Sequence, residues 1–324
     1  MNNLPSSDEV LKLPSFVVSL KRNEARFLHT KKILNKAGFQ TVHPFEAVDA
    51  IAARDSEDEW DQRIRPFGEF LGLPWKKNED GSWMKGGAGG PFGMTLSLLT
   101  LWGWLSLSNK KGLMIFEDDA LPRPDFLEVF PKYWNSIELE DVDMVYLGGQ
   151  KHPNDKDQYG SENGLHINCP MQCLHAHYIT KKGAKKILDF MPVMGDLRRR
   201  HIDKFGSPRF CPIDTTICEI GKKRGILHLC DEVRAGHHKD KIPDFKCVSF
   251  LGDEIPVKGK YDGTPWEGRD DGIIHQNADL GSNIHGLAVS RMRKEEETEK
   301  EGHDVFHESI MKIDEETGKG YIEQ

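Results

Sequence analysis

From residue 15 onward, short β-branched or apolar runs alternate with longer amphipathic ones, and this alternation constrains the fold more than any other feature of the chain. It is the signature of strand and helix units built around a mainly parallel sheet, an α/β fold flanked by helices. Ser15–Leu20 reads as a strand, Asn23–Ala37 as a helix stopped by Gly38, and Phe39–Phe45 as a second strand. A helix is expected over Phe92–Ser108, then a strand at Leu113–Phe116 and a helix from Pro124, whose ring suits a first turn. Strands follow at Asp143–Leu147 and Cys173–Thr180, helices at Lys181–Phe190 and Thr215–Arg224, and a short strand at Ile226–Leu229. The sheet should therefore hold at least six strands.

Two stretches break the pattern. Residues 50–90 are rich in charge, glycine and tryptophan, a long irregular insertion of a length that is usually functional or mobile, and disorder or a lid is expected there. Residues 291–324 are charge-dense and nearly free of aromatics, which predicts a solvated helix or a disordered tail. The expected organisation is one large unit over 1–290, carrying the insertion, followed by the tail. With 44 Lys and Arg against 52 Asp and Glu, the net charge of −8 argues against duplex nucleic acid as the main partner. The apolar run Phe92–Leu107 is too short for a bilayer span. The start of the chain lacks secretory-signal features, and its six cysteines include no CxxC pair, so the expected location is cytoplasmic, with reduced thiols.

The sharpest chemical feature is the apolar strand Gly112-Leu113-Met114-Ile115-Phe116 running directly into Glu117-Asp118-Asp119. Ligands of open α/β sheets bind at the carboxyl ends of the strands. Strand alternation puts Glu117 and Asp119 on one side, where both can address a divalent cation and its phosphate ligands, and hard oxygen donors favour Mg²⁺ or Mn²⁺. Solvated turn residues or helix caps are the competing reading of the same three residues. His166, Cys169, Cys173, His175 and His177 form a second cluster with the residue types of a zinc site, although this spacing is ordinary in a packed strand. There is no GxxxxGK[ST], and Gly86-Gly87-Ala88-Gly89-Gly90 follows no strand, so nucleotide binding of the P-loop or Rossmann kind is not indicated; a hinge suits that run better. Trp60, Trp75 and Trp83 in the insertion suit either sugar stacking or local packing.

Several of these segments together resemble glycosyltransferase family 25. The start Val17-Val18-Ser19-Leu20-Lys21-Arg22, with Arg26 after it, is similar to the family's opening strand and helix, and Phe45-Glu46-Ala47-Val48-Asp49-Ala50 to its F-x-A-V-D-G. Gly90 to Trp102 resembles its G-E-I-G-C-x-x-S-H-x-x-x-W, and Leu113 to Ala120 its carboxylate strand. Tyr178 to Leu188 and Pro212-Ile213-Asp214 complete the resemblance, which covers roughly residues 14–240. The chain departs from the pattern at Pro91, Met94 and Leu98, where the family commonly shows Glu, Cys and His.

The resemblance implies a GT-A fold and a metal-dependent transfer of sugar from a nucleotide-diphosphate donor, usually a UDP-sugar, with inversion at the anomeric carbon. The acceptor would be a hydroxyl on a glycan, a lipid-linked glycan or a protein. It further implies that Leu20, Lys21, Arg22, Arg26, Asp49, Glu117 and Asp118 line the donor, with Arg22 and Arg26 toward the diphosphate and Asp49 toward uracil or ribose. Asp119 is the first choice as ligand of the Mn²⁺ or Mg²⁺, with Glu117 as a further candidate and His237 or His238, among the nearby histidines that include His228, as a second contact. Asp214 is the candidate base for the acceptor hydroxyl, or else a cap on the helix it precedes. A non-catalytic nucleotide-sugar or glycan-binding relative and a Mg²⁺-dependent nucleotidyl or phosphoryl transferase are the alternatives.

Overall fold

The computed structural model describes residues 4–50, 90–150, 161–162, 165–168, 171–205, 213–221, 242–250, 255–261, 264–272, 274–276, 311–313 and 320–322. In chain order the elements are α1 (Ser7–Lys12), β1 (Pro14–Ser19), a 3-10 turn (Lys21–Asn23), α2 (Glu24–Lys36), β2 (Thr41–Glu46), α3 (Gly90–Leu107), β3 (Gly112–Glu117) and β4 (Ala120–Pro122). They continue with α4 (Phe126–Asn135), β5 (Met144–Gln150), β6 (Ser161–Glu162), β7 (Leu165–Ile167), β8 (Gln172–Thr180), α5 (Lys181–Phe205) and α6 (Ile213–Gly221). The last elements are β9 (Cys247–Phe250), β10 (Ile255–Tyr261), β11 (Thr264–Gly272), β12 (Ile274–Gln276), β13 (Met311–Ile313) and β14 (Gly320–Ile322).

The main sheet runs β2-β1-β3-β8-β5-β9-β7-β6, with β11 also pairing β5. Taking β1 as the reference direction, β2, β3, β5, β9 and β6 run with it and β8 and β7 run against it. The mostly parallel sheet expected from the alternation is therefore present. The reversed β8 is the feature that the alternation could not show, because a strand buried on both faces has the same pattern whichever way it runs.

The strands β3 and β5 bury residues on both sides. Leu113, Ile115, Met144 and Tyr146 join one core cluster, with Leu96, Leu99, Trp102 and Leu105 of α3 and Ile187, Phe190 and Met194 of α5. Met114, Phe116, Val145 and Leu147 alternate onto the other face, against Phe27 and Leu34 of α2 and Phe126, Phe130 and Trp134 of α4. The three α4 aromatics recur every four residues, so their rings meet in series at 5.1 and 5.5 Å. Trp134 then meets Tyr178 of β8 edge-on at 5.4 Å, and its indole donates to Pro5 O at 2.7 Å, tying the start of the chain to the sheet. Each such side chain contributes roughly 1.5–3 kcal/mol by leaving water. Helix α1 opens with a reciprocal cap: Glu9 N donates to Ser6 Oγ at 3.3 Å, and Ser6 N donates to Glu9 Oε2 at 2.8 Å. Past the end of α2, Gly38 takes φ +92°, a conformation that side chains with Cβ resist.

Some boundaries differ from the sequence reading. The helix expected over Lys181–Phe190 continues to Phe205 as α5, through Pro192. Proline forfeits one backbone hydrogen bond, but Met191 and Met194 keep the apolar face packed across it. The helix expected from Thr215 begins at Ile213. In the charged tail the described residues are not helical: Met311–Ile313 pairs antiparallel with Gly320–Ile322. The expected strand at Ile226–Leu229, most of the 50–90 insertion and its Trp60, Trp75 and Trp83 lie outside the described residues.

Two glycines place the site's supports. A Cβ on Gly93 would lie 2.2 Å from Val48 O, so only glycine lets the start of α3 seat against the loop that carries Asp49. Ser97 Oγ accepts from Val48 N at 2.8 Å and donates to Gly93 O at 2.7 Å, completing that junction. A Cβ on Gly183 would lie 2.3 Å from Asp143 O, which brings α5 equally close to the strand β5.

Candidate active site

The parallel pairing of β1 with β3 sets Val18 opposite Glu117, so the chain leaving β1 and the carboxylates leaving β3 emerge side by side. Three side chains from the first strand and helix then converge on Asp118. Ser19 Oγ donates to Asp118 Oδ2 at 2.8 Å, and Arg26 Nη2 pairs with Oδ1 at 2.7 Å. Thr30 Oγ1 donates to the Asp118 carbonyl at 2.6 Å, holding the turn from beneath. Arg26 Nη2 also reaches Asp119 Oδ2 at 3.3 Å, so a single nitrogen bridges the two aspartates.

This corrects one expectation. Arg26 was expected toward a diphosphate, but it is 2 % exposed and directed at Asp118 and Asp119. A guanidinium in that position organises the carboxylates instead of meeting a ligand from solvent. Arg22 and Asp49, by contrast, stay partly exposed at the exits of β1 and β2 and form an ion pair with each other. Leu20 and Lys21 lie in the turn between β1 and α2, where Asn23 N donates to Leu20 O at 2.8 Å.

The electrostatics follow from carboxylates crowded around Glu117, two of them paired with the buried Arg26 guanidinium. Burial pushes the Glu117 carboxyl well above its ordinary value, and the charges of Asp119, Asp118 and Asp214 push it further, against the pull of Arg26. Burial raises Asp118 to about 6, with Asp119 adding to the rise, while Arg26 and the hydrogen bonds of Ser19 and Asn23 oppose it. Asp214 thus acts on Glu117 across 97 residues of sequence. It is half-buried and is the second residue of α6, inside the first turn instead of preceding the helix as expected.

Ser19, Asn23 and Thr30 are the members of this constellation that sequence reasoning did not single out. Ser19 had a detectable signal, a hydroxyl at the carboxyl end of an otherwise mostly apolar strand; Asn23 and Thr30 look like ordinary helix-start and helix-face residues. A further neighbour is β12, which pairs antiparallel with β4, placing Gln276 opposite Ala120 immediately after the carboxylates. His237 and His238 lie outside the described residues, as does His228. Of the family-motif departures, Leu98 is buried and Met94 half-buried in the α3 core cluster, so both serve packing. Among the described residues no group of three or more His, Cys, Asp or Glu stands assembled as a metal site; Cys169 of the second cluster lies outside them.

His177 is instead a core residue. Its Nδ1 lies 3.1 Å from Leu174 O, and burial, assisted by the charge of His175, lowers it to about 4 despite that hydrogen bond. The unfolded chain takes up a proton near pH 6.5 that the folded chain refuses until about pH 4, so acidification through this window favours unfolding. The contribution should approach about 3 kcal/mol at the acid end. The raised Glu117 and Asp118 act with the opposite sign, so the comparison that checks this is urea unfolding of wild type and His177→Met between pH 7 and pH 4. The variant should show the shallower loss on the acid side, and parallel curves would refute a neutral buried His177.

Residues 12–196 match the family model described as glycosyltransferase family 25 (LPS biosynthesis protein). No curated protein matches the whole sequence closely enough to count as a relative. Solved structures with some likeness include a glycosyltransferase involved in glycosylation of the major capsid of PBCV-1, at 8 % identity and TM-score 0.29, covering 75 % of this chain and 94 % of that one. Mouse xyloside xylosyltransferase 1 (12 % identity, TM-score 0.32) and the galactosyltransferase LgtC with donor and acceptor sugar analogues (10 % identity, TM-score 0.32) each cover 78 % of this chain and 91 % of their own.

Proposed function

Because the chain belongs to glycosyltransferase family 25, and so is a glycosyltransferase, we propose that it moves a sugar from a UDP-linked donor to a hydroxyl on a glycan, a lipid-linked glycan or a protein, with inversion. The observation that carries the site assignment is the surplus of carboxylate at the end of β3: Asp119, Asp118 and Asp214 all act on Glu117, Asp119 also acts on Asp118, and Arg26 is the countercharge, paired with both aspartates. Such a surplus suits a divalent cation. Mg²⁺ and Mn²⁺ sites that receive nucleotide phosphates often use only one or two protein carboxylates, so the lack of a ready-made cluster among the described residues is compatible with one.

Asp118 is committed to Ser19, Asn23 and Arg26, which leaves Asp119 as the first ligand and Glu117 as the second, with His237 or His238 completing the set. A divalent ion held there would stabilise, as a Lewis acid, the negative charge that the leaving nucleoside diphosphate gains. Arg22 and Asp49, at the exits of β1 and β2, bind the nucleotide end of the donor. Asp214 takes the proton of the attacking acceptor hydroxyl on the face opposite the leaving group.

Thermal-shift titration of the full chain with UDP, GDP, CMP and UDP-sugars, with and without Mn²⁺, tests the donor and the metal together, because a ligand of the native state raises its apparent stability. A Mn²⁺-dependent shift with UDP supports the proposal. A folded protein that answers to none of the nucleotides sinks it. Asp214→Asn separates base from binding: donor binding should persist while transfer falls roughly a hundredfold or more. Retained transfer would return Asp214 to a structural role in the first turn of α6.

A further inference from the structure

The core cluster between α3 and the sheet contains two polar atoms that belong to no part of the site above. Trp102 and His177 are both fully buried, with ring centroids 6.4 Å apart and their planes at 73°. Among the described residues, the indole Nε1 and the imidazole Nε2 have no hydrogen-bond partner. Their chemistry is complementary. An indole nitrogen can only donate. His177 Nδ1 faces Leu174 O, so Nδ1 carries the ring proton and Nε2 presents a lone pair. A third polar group is close in the sheet: Tyr146 of β5 is the direct cross-strand partner of His177, which puts the two side chains on one face, and Tyr146 shares its core cluster with Trp102.

We propose that this place is a binding site for a single internal water molecule, which accepts from Trp102 Nε1, donates to His177 Nε2 and reaches the Tyr146 hydroxyl as its third partner. Buried polar groups in folded proteins are almost always satisfied, and an internal water typically has two to four polar partners. The protein atoms here provide a donor and an acceptor that do not bond one another directly. The position gives the water a task. His177 lies opposite Ile115, two residues before Glu117 on β3, while the helix that carries Trp102 also carries the Gly93 and Ser97 contacts to the Asp49 loop. The water therefore joins α3 to the strands beneath the carboxylate edge.

A high-resolution crystal structure of the full chain is the primary test, with nitrogen NMR of the histidine rings as the second. The expected result is one density peak within hydrogen-bonding distance of both Trp102 Nε1 and His177 Nε2, an unprotonated Nε2, and magnetisation transfer from a slowly exchanging water to the Trp102 indole proton. A direct bond between the two rings, an empty gap in well-defined density, or a proton on Nε2 would each overturn the proposal. Because the wild-type chain is used throughout, loss of folding in a core variant cannot obscure the answer.

Discussion

Replacing Asp119 by alanine is expected to abolish the Mn²⁺-dependent nucleotide shift and to lower transfer about a thousandfold, the scale of removing Lewis-acid stabilisation from a leaving diphosphate. The fold should survive, for a reason visible in the charges. Asp119 repels Glu117 and Asp118, and its removal leaves Arg26 still paired with Asp118 at 2.7 Å, so one carboxylate and much of the mutual repulsion go while the buried guanidinium keeps a partner. The melting temperature without nucleotide should stay near wild type. An unchanged UDP affinity in Mn²⁺ would take Asp119 out of the metal site, and a large fall in melting temperature would mean that the 3.3 Å contact with Arg26 is structural.

The second large effect is on stability. Lys186→Met should destabilise the fold by about 3–5 kcal/mol, the cost of leaving one member of a buried ion pair alone. Asp143 is fully buried, and its Oδ2 accepts from Lys186 Nζ at 2.6 Å and from Lys246 N at 2.8 Å. Its carbonyl accepts from Thr180 N at 2.9 Å and Thr180 Oγ1 at 3.1 Å, joining the β5 and β8 ends to the start of α5. A drop of about 10 °C in melting temperature is the expected reading. Adding Asp143→Asn to Lys186→Met should restore part of it, since the second change removes the stranded charge. A single variant that melts within a degree or two of wild type would show that water reaching Lys186, which is 22 % exposed, already compensates Asp143.

That pair explains a motif whose purpose was not apparent from sequence. The Gly183-Ala184-Lys185-Lys186 stretch is among the more specific parts of the family resemblance, yet its residues lie away from the chemistry. Gly183 is small because Asp143 O sits where a Cβ would go, and Lys186 is basic because the Asp143 carboxylate is buried beside it. Strong patterning in a sequence can mark a junction of the scaffold as readily as a reacting group.

The local features were legible because they depend on neighbours in the chain. The alternation of strands and helices, the carboxylates at the end of β3 and the glycine stop after α2 each follow from periodicity or from a single residue's allowed conformations. The extension of α5 through Pro192 was not, since propensity argues against it and only packing overrides it. The reversed direction of β8 leaves no trace in a strand that is buried on both faces. The division of labour within Glu117-Asp118-Asp119 was likewise decided in three dimensions. Three adjacent acids are chemically alike in a sequence, and they differ here because Ser19, Arg26 and Thr30, roughly ninety to a hundred residues away, claim Asp118 while the bridging Arg26 nitrogen holds Asp119 more loosely. By itself the sequence determined that this chain is an α/β protein with an acidic strand end. Which acid anchors the turn and which remain for a ligand was left to the tertiary structure, because burial and a countercharge arrive only when distant segments pack together.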